Sequence, residues 1–160
     1  MITHIKPLKH FIDNTYKPAL KVFLAGSIDM GQAVEWQEQI YQLLSEQKLD
    51  FDIVLFNPRR DDWDSTWEQS IHNTKFREQV TWELQNIEAA DLVVFFFDPN
   101  GKAPITLLEL GIVAGLGKAA VVCCPRGFWR KGNVDIVCNR FNLPVVSSIK
   151  EIADFIVRCG

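Results

Sequence analysis

The 160-residue chain is poor in the arrangements by which small proteins hold metals, form disulfides or enter membranes. Its histidines, His4, His10 and His72, are scattered, and Cys123, Cys124, Cys138 and Cys159 form no Cys-x-x-Cys pair. Neither a zinc site nor a serine or cysteine triad is supported, no metal is expected, and the cysteines read as reduced, mostly buried small residues. No Walker loop and no Gly-x-Gly-x-x-Gly is present, which removes P-loop enzymes and dinucleotide-dependent oxidoreductases. No apolar run reaches the length of a bilayer span, and "MITHIKPLKHFIDNTYK" lacks the apolar centre and cleavage site of a secretory signal. A soluble, cytoplasmic protein is expected. Positive charge is scarce too: 17 Lys and Arg against 20 Asp and Glu leave a net charge of -3. Such a chain has no field for wrapping a nucleic acid polymer or lying on an anionic membrane, although free nucleosides and nucleotides remain possible ligands.

Apolar residues are plentiful, and 48% of the sequence is enough to build the core of one domain. Residues 1–18 read as a polar leader and 19–160 as the domain. "ALKVFLAG", "FDIVLFNP", "DLVVFFFDP", "KAAVVCCP" and the short "LPVV" read as strands. Helical spacing follows the first at Val34, Ile40, Leu43 and Leu44, and helices are expected from about Lys75 to Ala90, over "PITLLELGIVAGL", over "GNVDIVCNRFN" and over "SIKEIADFIVRC". Continuous apolar strands alternating with helices imply an α/β fold, a flavodoxin-like, doubly wound, five-stranded parallel sheet with helices on both faces. Ligands of such sheets bind at the carboxyl ends of the strands, which directs attention to "GSIDMG", "NPRRDDW", "DPNGKAPIT" and "CPRGFWRKGN".

Glu109 is the one charge in "APITLLELGIVAGLG". Helical spacing sets it among Ile105, Ile112, Val113 and Leu116, away from a solvent face. One explanation is a capping box with Thr106, with Pro104 in the first turn. The other is functional: a carboxylate in the first turn, held ionised by the helix dipole and facing the strand-end cleft, suits a nucleophile. In the preceding helix Phe76, Val80, Leu84 and Ile87 form the expected apolar stripe, and Glu83 lies just outside its edge with Gln79 one turn earlier. Glu83 is either a half-buried group with a raised pKa or a glutamate whose stem covers the edge of the core. Two carboxyls facing one cleft, one ionised and one able to shuttle a proton, match chemistry at an acetal-type carbon.

"VFLAGSI", "NPRR", "QVTWELQNIEAADLVVFFFDP" and "PITLLELG" together resemble the nucleoside 2-deoxyribosyltransferase family, with wider similarity to deoxynucleotide N-hydrolases. The resemblance runs from about Lys21 to Pro125, with a weaker echo in "GNVDIVCNRF". It implies that Glu109 of "ELG" is the nucleophile and that Glu83, where the family usually has aspartate, assists proton transfer. A further aspartate six residues before the nucleophile is replaced by Ala103, and Asp98 or Asn100 could supply a polar group from the same loop. Asn133 is the best match to an asparagine that relatives place near the sugar of a neighbouring subunit, so a homo-oligomer with shared sites is implied.

The implied reaction transfers 2-deoxyribose between nucleobases through a covalent glutamyl-deoxyribosyl intermediate, without metal or cofactor. Its partners are a small-molecule 2'-deoxynucleoside and a free nucleobase. Gly26, Ser27, Asn57, Arg59, Trp63 and Asp98 join Asn133 as substrate-binding candidates. Each has a plainer reading: a strand-ending turn at Gly26 and Ser27, packing for Trp63 and Trp67, and pairing of Arg59 or Arg60 with Asp61, Asp62 or Asp64. Two other functions stay open. One is hydrolysis of deoxynucleosides or their 5'-monophosphates, although Asp29 stands where phosphate-binding relatives carry arginine and only Arg59, Arg126 or Arg130 could compensate. The other is a non-catalytic nucleotide-binding module on the same fold.

Overall fold

A computed structural model describes residues 1–9, 19–27, 35–60 and 64–160. The expectations that fall on His10, Asp29, Val34, Asp61, Asp62 and Trp63, and on the leader from His10 to Pro18, lie outside the described residues. Among the described residues the elements are β1 (Ile2–Ile5), β2 (Leu20–Gly26), α1 (Trp36–Ser45), β3 (Ile53–Phe56), α2 (Thr74–Ala89), β4 (Leu92–Phe96), α3 (Pro104–Leu116), β5 (Ala120–Cys123), α4 (Lys131–Phe141), β6 (Val145–Val146) and α5 (Ile149–Cys159). Among the described residues no helix is long and apolar enough to cross a membrane.

The strands form one parallel sheet in the order β1-β3-β2-β4-β5-β6. From β3 to β6 this is the order of a flavodoxin-like doubly wound sheet. The sheet has six strands rather than the expected five, because residues 2–5 of the segment read as a leader pair with β3 from Ile2↔Ile53 to Ile5↔Phe56. "ITHI" is too short and too polar to announce a buried strand. It adds to an edge whose backbone groups would otherwise be open, and the Met1 ammonium is anchored on Asp52.

Strands β3, β4 and β5 are buried along their whole length, which explains their unbroken apolar sequences. One face of the sheet packs with α2, α3 and α4 through Trp82, Ile87, Leu110, Val113, Val134 and Cys138. The other packs with α1 and α5 through Trp36, Ile40, Leu44, Ile152 and Ile156. Chain connections leave β2 and β4 toward opposite faces, so a crevice opens at the carboxyl ends of these neighbours.

Local chemistry sets the helix ends that flank this crevice. The Asn73 side chain accepts from the Phe76 N–H at the start of α2. Pro104 opens α3 at a position where its missing N–H costs nothing, and Gly117 closes it in the left-handed conformation, φ 65°. Gly26 ends β2 under tight constraint: a Cβ there would lie 2.5 Å from Trp36 Cζ2 and 2.7 Å from the Phe96 carbonyl oxygen. The space is taken by the Trp36 indole, which donates to the Ser27 carbonyl at 3.2 Å and packs on Phe96.

Gly26→Ala is therefore expected to destabilise the protein by about 1–3 kcal/mol through overpacking. Urea unfolding measures this, and an unchanged midpoint would mean that Trp36 yields without cost.

Candidate active site

Two carboxyl groups meet beneath the crevice on the α2–α3 face. Glu109 is only 7% exposed, on the side of α3 that also buries Thr106, Leu110, Val113 and Ala114. Ile105 and Leu116, expected beside it, are instead exposed. The capping-box explanation fails. The N-cap of α3 is Ala103, which makes no side-chain cap, Thr106 is the third helical residue, and no acidic residue lies in the first turn. Glu109 is thus one turn deeper than the sequence suggested, beyond the free N–H groups that would hold it ionised. Burial, followed by the charge of Glu83, pushes its carboxyl up to about 8.

Glu83 comes from α2, whose buried face is rotated from the expected stripe. Gln79, Trp82 and Ile87 point inward, Phe76 and Val80 are half-buried, and Leu84 is exposed. The Trp82 ring causes the rotation by packing against Phe23 and edge-on to Phe56, while its N–H donates to the Lys9 carbonyl at 3.0 Å. Glu83 is carried toward the core by this turn of the helix. Burial raises its pKa, and a hydrogen bond from Gln79 Nε2 at 2.8 Å opposes the rise. Burial and the neighbouring Glu83 charge keep Glu109 protonated near neutrality, while the Gln79 hydrogen bond favours the ionised form of Glu83.

Around the crevice the remaining candidates fall into separate groups. Gly26 pairs with Phe96 at the ends of β2 and β4, and Ser27 N–H donates to the Phe96 carbonyl at 3.1 Å. Asp98 N–H donates to Ser27 Oγ at 3.1 Å, and Asp98 Oδ1 accepts from Asn100 N–H at 2.8 Å. Ser27 and Asp98 are both buried at this junction. Asn57, at the end of β3, is engaged in structure: its Oδ1 accepts from Arg59 N–H at 2.9 Å and its Nδ2 lies 2.9 Å from His4 Nε2. Burial lowers the pKa of His4, and its ring stacks on Tyr41. Among the described residues the buried Arg59 Nη1 has no hydrogen-bond partner. Asn133 stands apart, exposed on α4, in a cleft of about 300 Å³ shared with Leu107, Leu110 and Arg130. Trp63 lies outside the described residues; Trp67 is half-buried with Arg60 5.0 Å and Lys75 5.5 Å from its ring centre. Among the described residues no cluster of side chains is suited to a metal ion.

Gln79 is the site residue that sequence reasoning noticed without using. Its signal was the four-residue spacing to Glu83, at which side chains meet on a helix.

The sequence profile of the family described as "Nucleoside 2-deoxyribosyltransferase like" matches residues 19–128. No curated protein matches the chain. Among solved structures, one described as a conserved protein from Enterococcus faecalis V583 is similar, with a TM-score of 0.59 and 19% sequence identity over 89% of this chain and 100% of that one. At that identity the likeness speaks for the fold alone.

The raised carboxyl has a consequence for stability. Below about 4.5 Glu109 holds its proton whether folded or not, and the stability is fully present. As pH rises further the unfolded chain ionises first, so stability falls until the native group itself ionises at about 8. Glu109→Gln keeps the shape and removes this loss. At pH near 8 it is expected to melt roughly 3–6 °C above the wild type, with little gain near pH 4. Equal melting shifts at both pH values would refute the raised carboxyl.

Proposed function

The chain belongs to the nucleoside 2-deoxyribosyltransferase-like family, and on that footing we propose that it transfers 2-deoxyribose from one nucleobase to another. The observation that carries this reading is the buried Glu109 carboxyl with the half-buried Glu83 close enough for its charge to raise the Glu109 pKa. In the reactive arrangement the Glu109 carboxylate attacks C1' of a 2'-deoxynucleoside while the C1'–N bond breaks. The bonding electrons leave with the base, and Glu83 gives the base its proton. A glutamyl-deoxyribosyl ester remains. A nitrogen of the second base then attacks C1', its proton passes to Glu83, and the ester electrons return to Glu109. Two inversions retain configuration. Ser27 and Asp98 are assigned to the sugar, with Gly26 admitting it to the strand ends. Arg59 and Trp63 are assigned to the rest of the nucleoside, with Asn57 holding the Arg59 backbone. The reaction as written needs no metal or cofactor.

One observation favours a second reading. The buried Nη1 of Arg59, which has no partner among the described residues, offers a donor to an anion, as hydrolysis of a deoxynucleoside 5'-monophosphate would require. Chromatography of purified protein with thymidine or deoxyinosine, with and without adenine, separates the readings. A new deoxynucleoside formed only with adenine supports transfer, and base released equally in both mixtures supports hydrolysis. Release from 5'-monophosphates alone would assign Arg59 to phosphate. No turnover of any of these, with retained nucleoside binding, would leave a binding module. Under the transfer reading Glu109→Ala is expected to lose at least about 10³-fold in rate, and Glu83→Gln about 10²–10⁴-fold.

We further infer that copies of the chain assemble around shared sites. The outer side of α3 exposes Ile105, Leu108 and Leu116, an apolar row next to the turn that carries Glu109. Asn133, exposed one helix away, is then positioned to serve a neighbouring copy. Sedimentation equilibrium is expected to show an oligomer that Leu108→Glu dissociates; a wild-type monomer at micromolar concentration would overturn the inference.

A further inference from the structure

Gln79 is 3% exposed, and its amide bonds fix which end is which. Nε2 lies 3.2 Å from the Pro58 carbonyl oxygen, which can only accept. On the other side Arg60 Nη1, which can only donate, lies 3.5 Å from Oε1. Partners of fixed and opposite polarity therefore set the amide orientation, and the second hydrogen of Nε2 is delivered to Glu83 Oε1 at 2.8 Å. Among the described residues no equivalent donor serves Glu109, which is buried on the side of α3 that also buries Thr106, Leu110 and Val113. The two carboxyls are chemically alike and unequally supported.

We propose that Gln79, locked by Pro58 and Arg60, is the positioning residue that makes the pair asymmetric: it keeps Glu83 as the anionic member in the empty site and leaves the proton on Glu109. This deepens the transferase reading and rests on it. The nucleophile is masked until substrate arrives, because Glu109 must pass its proton to Glu83 before it can attack. Gln79 then works in the forward direction. When Glu83 releases that proton to the departing base, the same N–H stabilises the carboxylate that forms, making Glu83 a stronger acid than its burial alone would permit. Among the described residues the charged groups on the surrounding elements are Glu83 on α2, Glu109 on α3, Arg60 after β3 acting through Gln79, Arg59 beside it with Nη1 buried, and Asp98 after β4, whose carboxylate is turned to Asn100.

The test uses Gln79→Met, close in size but unable to donate, in the full-length protein. Carboxyl ¹³C NMR, with Glu83→Gln and Glu109→Gln for assignment, follows both glutamates through a pH titration. In the wild type Glu83 is expected to ionise before Glu109. In Gln79→Met the first ionisation of the pair is expected to move upward by roughly one to two pH units, and the acid limb of kcat/KM to move with it. Thermal melting confirms that the variant is folded; if it is not, Arg60→Met, which frees the amide to turn over, is expected to shift the same limb in the same direction. An unmoved first ionisation in a folded variant overturns the proposal, as does a wild type in which Glu109 ionises first. Retained activity in Glu109→Ala overturns the transferase reading instead, so the two failures are distinguishable.

Discussion

Enclosing one carboxyl of α3 against another from α2 is the constraint around which this structure is arranged. Each would be unremarked on the surface. Together, with Glu109 buried and Glu83 half-buried beside it, the charge of Glu83 helps hold the proton on Glu109, and this couples helices that come from different parts of the chain. Helical spacing brings Gln79 to Glu83, and Pro58 and Arg60, in the segment after β3, hold its amide. The state of the pair is thus set by three stretches of sequence.

The sheet makes this meeting possible. The crossover from β3 to β4 carries α2 onto the face where α3 follows from β4, so the two helices flank the same crevice. At the mouth of that crevice Ser27 and Asp98 are tied together, while Trp36 underpins Gly26 from the opposite face. The strand ends are tied by hydrogen bonds and packing, and the two acids are carried by helices, an arrangement suited to orienting reactive groups.

Much of the fold was legible because burial on both faces writes itself into strands as unbroken apolar runs. "DLVVFFFDP" and "KAAVVCCP" became β4 and β5 with small differences at their ends, and "PITLLELGIVAGL" is α3 residue for residue. Strand β1 was not legible. An edge strand buries little, so Thr3 and His4 showed no core signal, and their pairing with β3 depends on an edge that exists only once the sheet has formed. The apolar stripe of α2 misled for a related reason: period alone cannot tell that Trp82 will claim the core and turn Leu84 outward.

The sequence by itself determined the alternation of strands and helices, the order of the elements, and the presence of an odd carboxylate in an apolar helix, since these follow from local patterning. Only the tertiary structure decided what that carboxylate is. Thr106–Glu109 and Ser148–Glu151 share the same capping-box spacing. Ser148 does cap α5, accepting from Glu151 N–H at 3.2 Å, and Glu151 reaches back to Ser147 N–H at 2.8 Å. Glu109 instead falls in the second turn, because α3 begins earlier, at Pro104 after a left-handed Ala103. Its neighbour across the core is Glu83, 26 residues away in sequence. A local pattern describes the bonds a side chain could make with its own helix, and the charge state of a buried group depends on water and neighbours that only the folded chain removes or supplies.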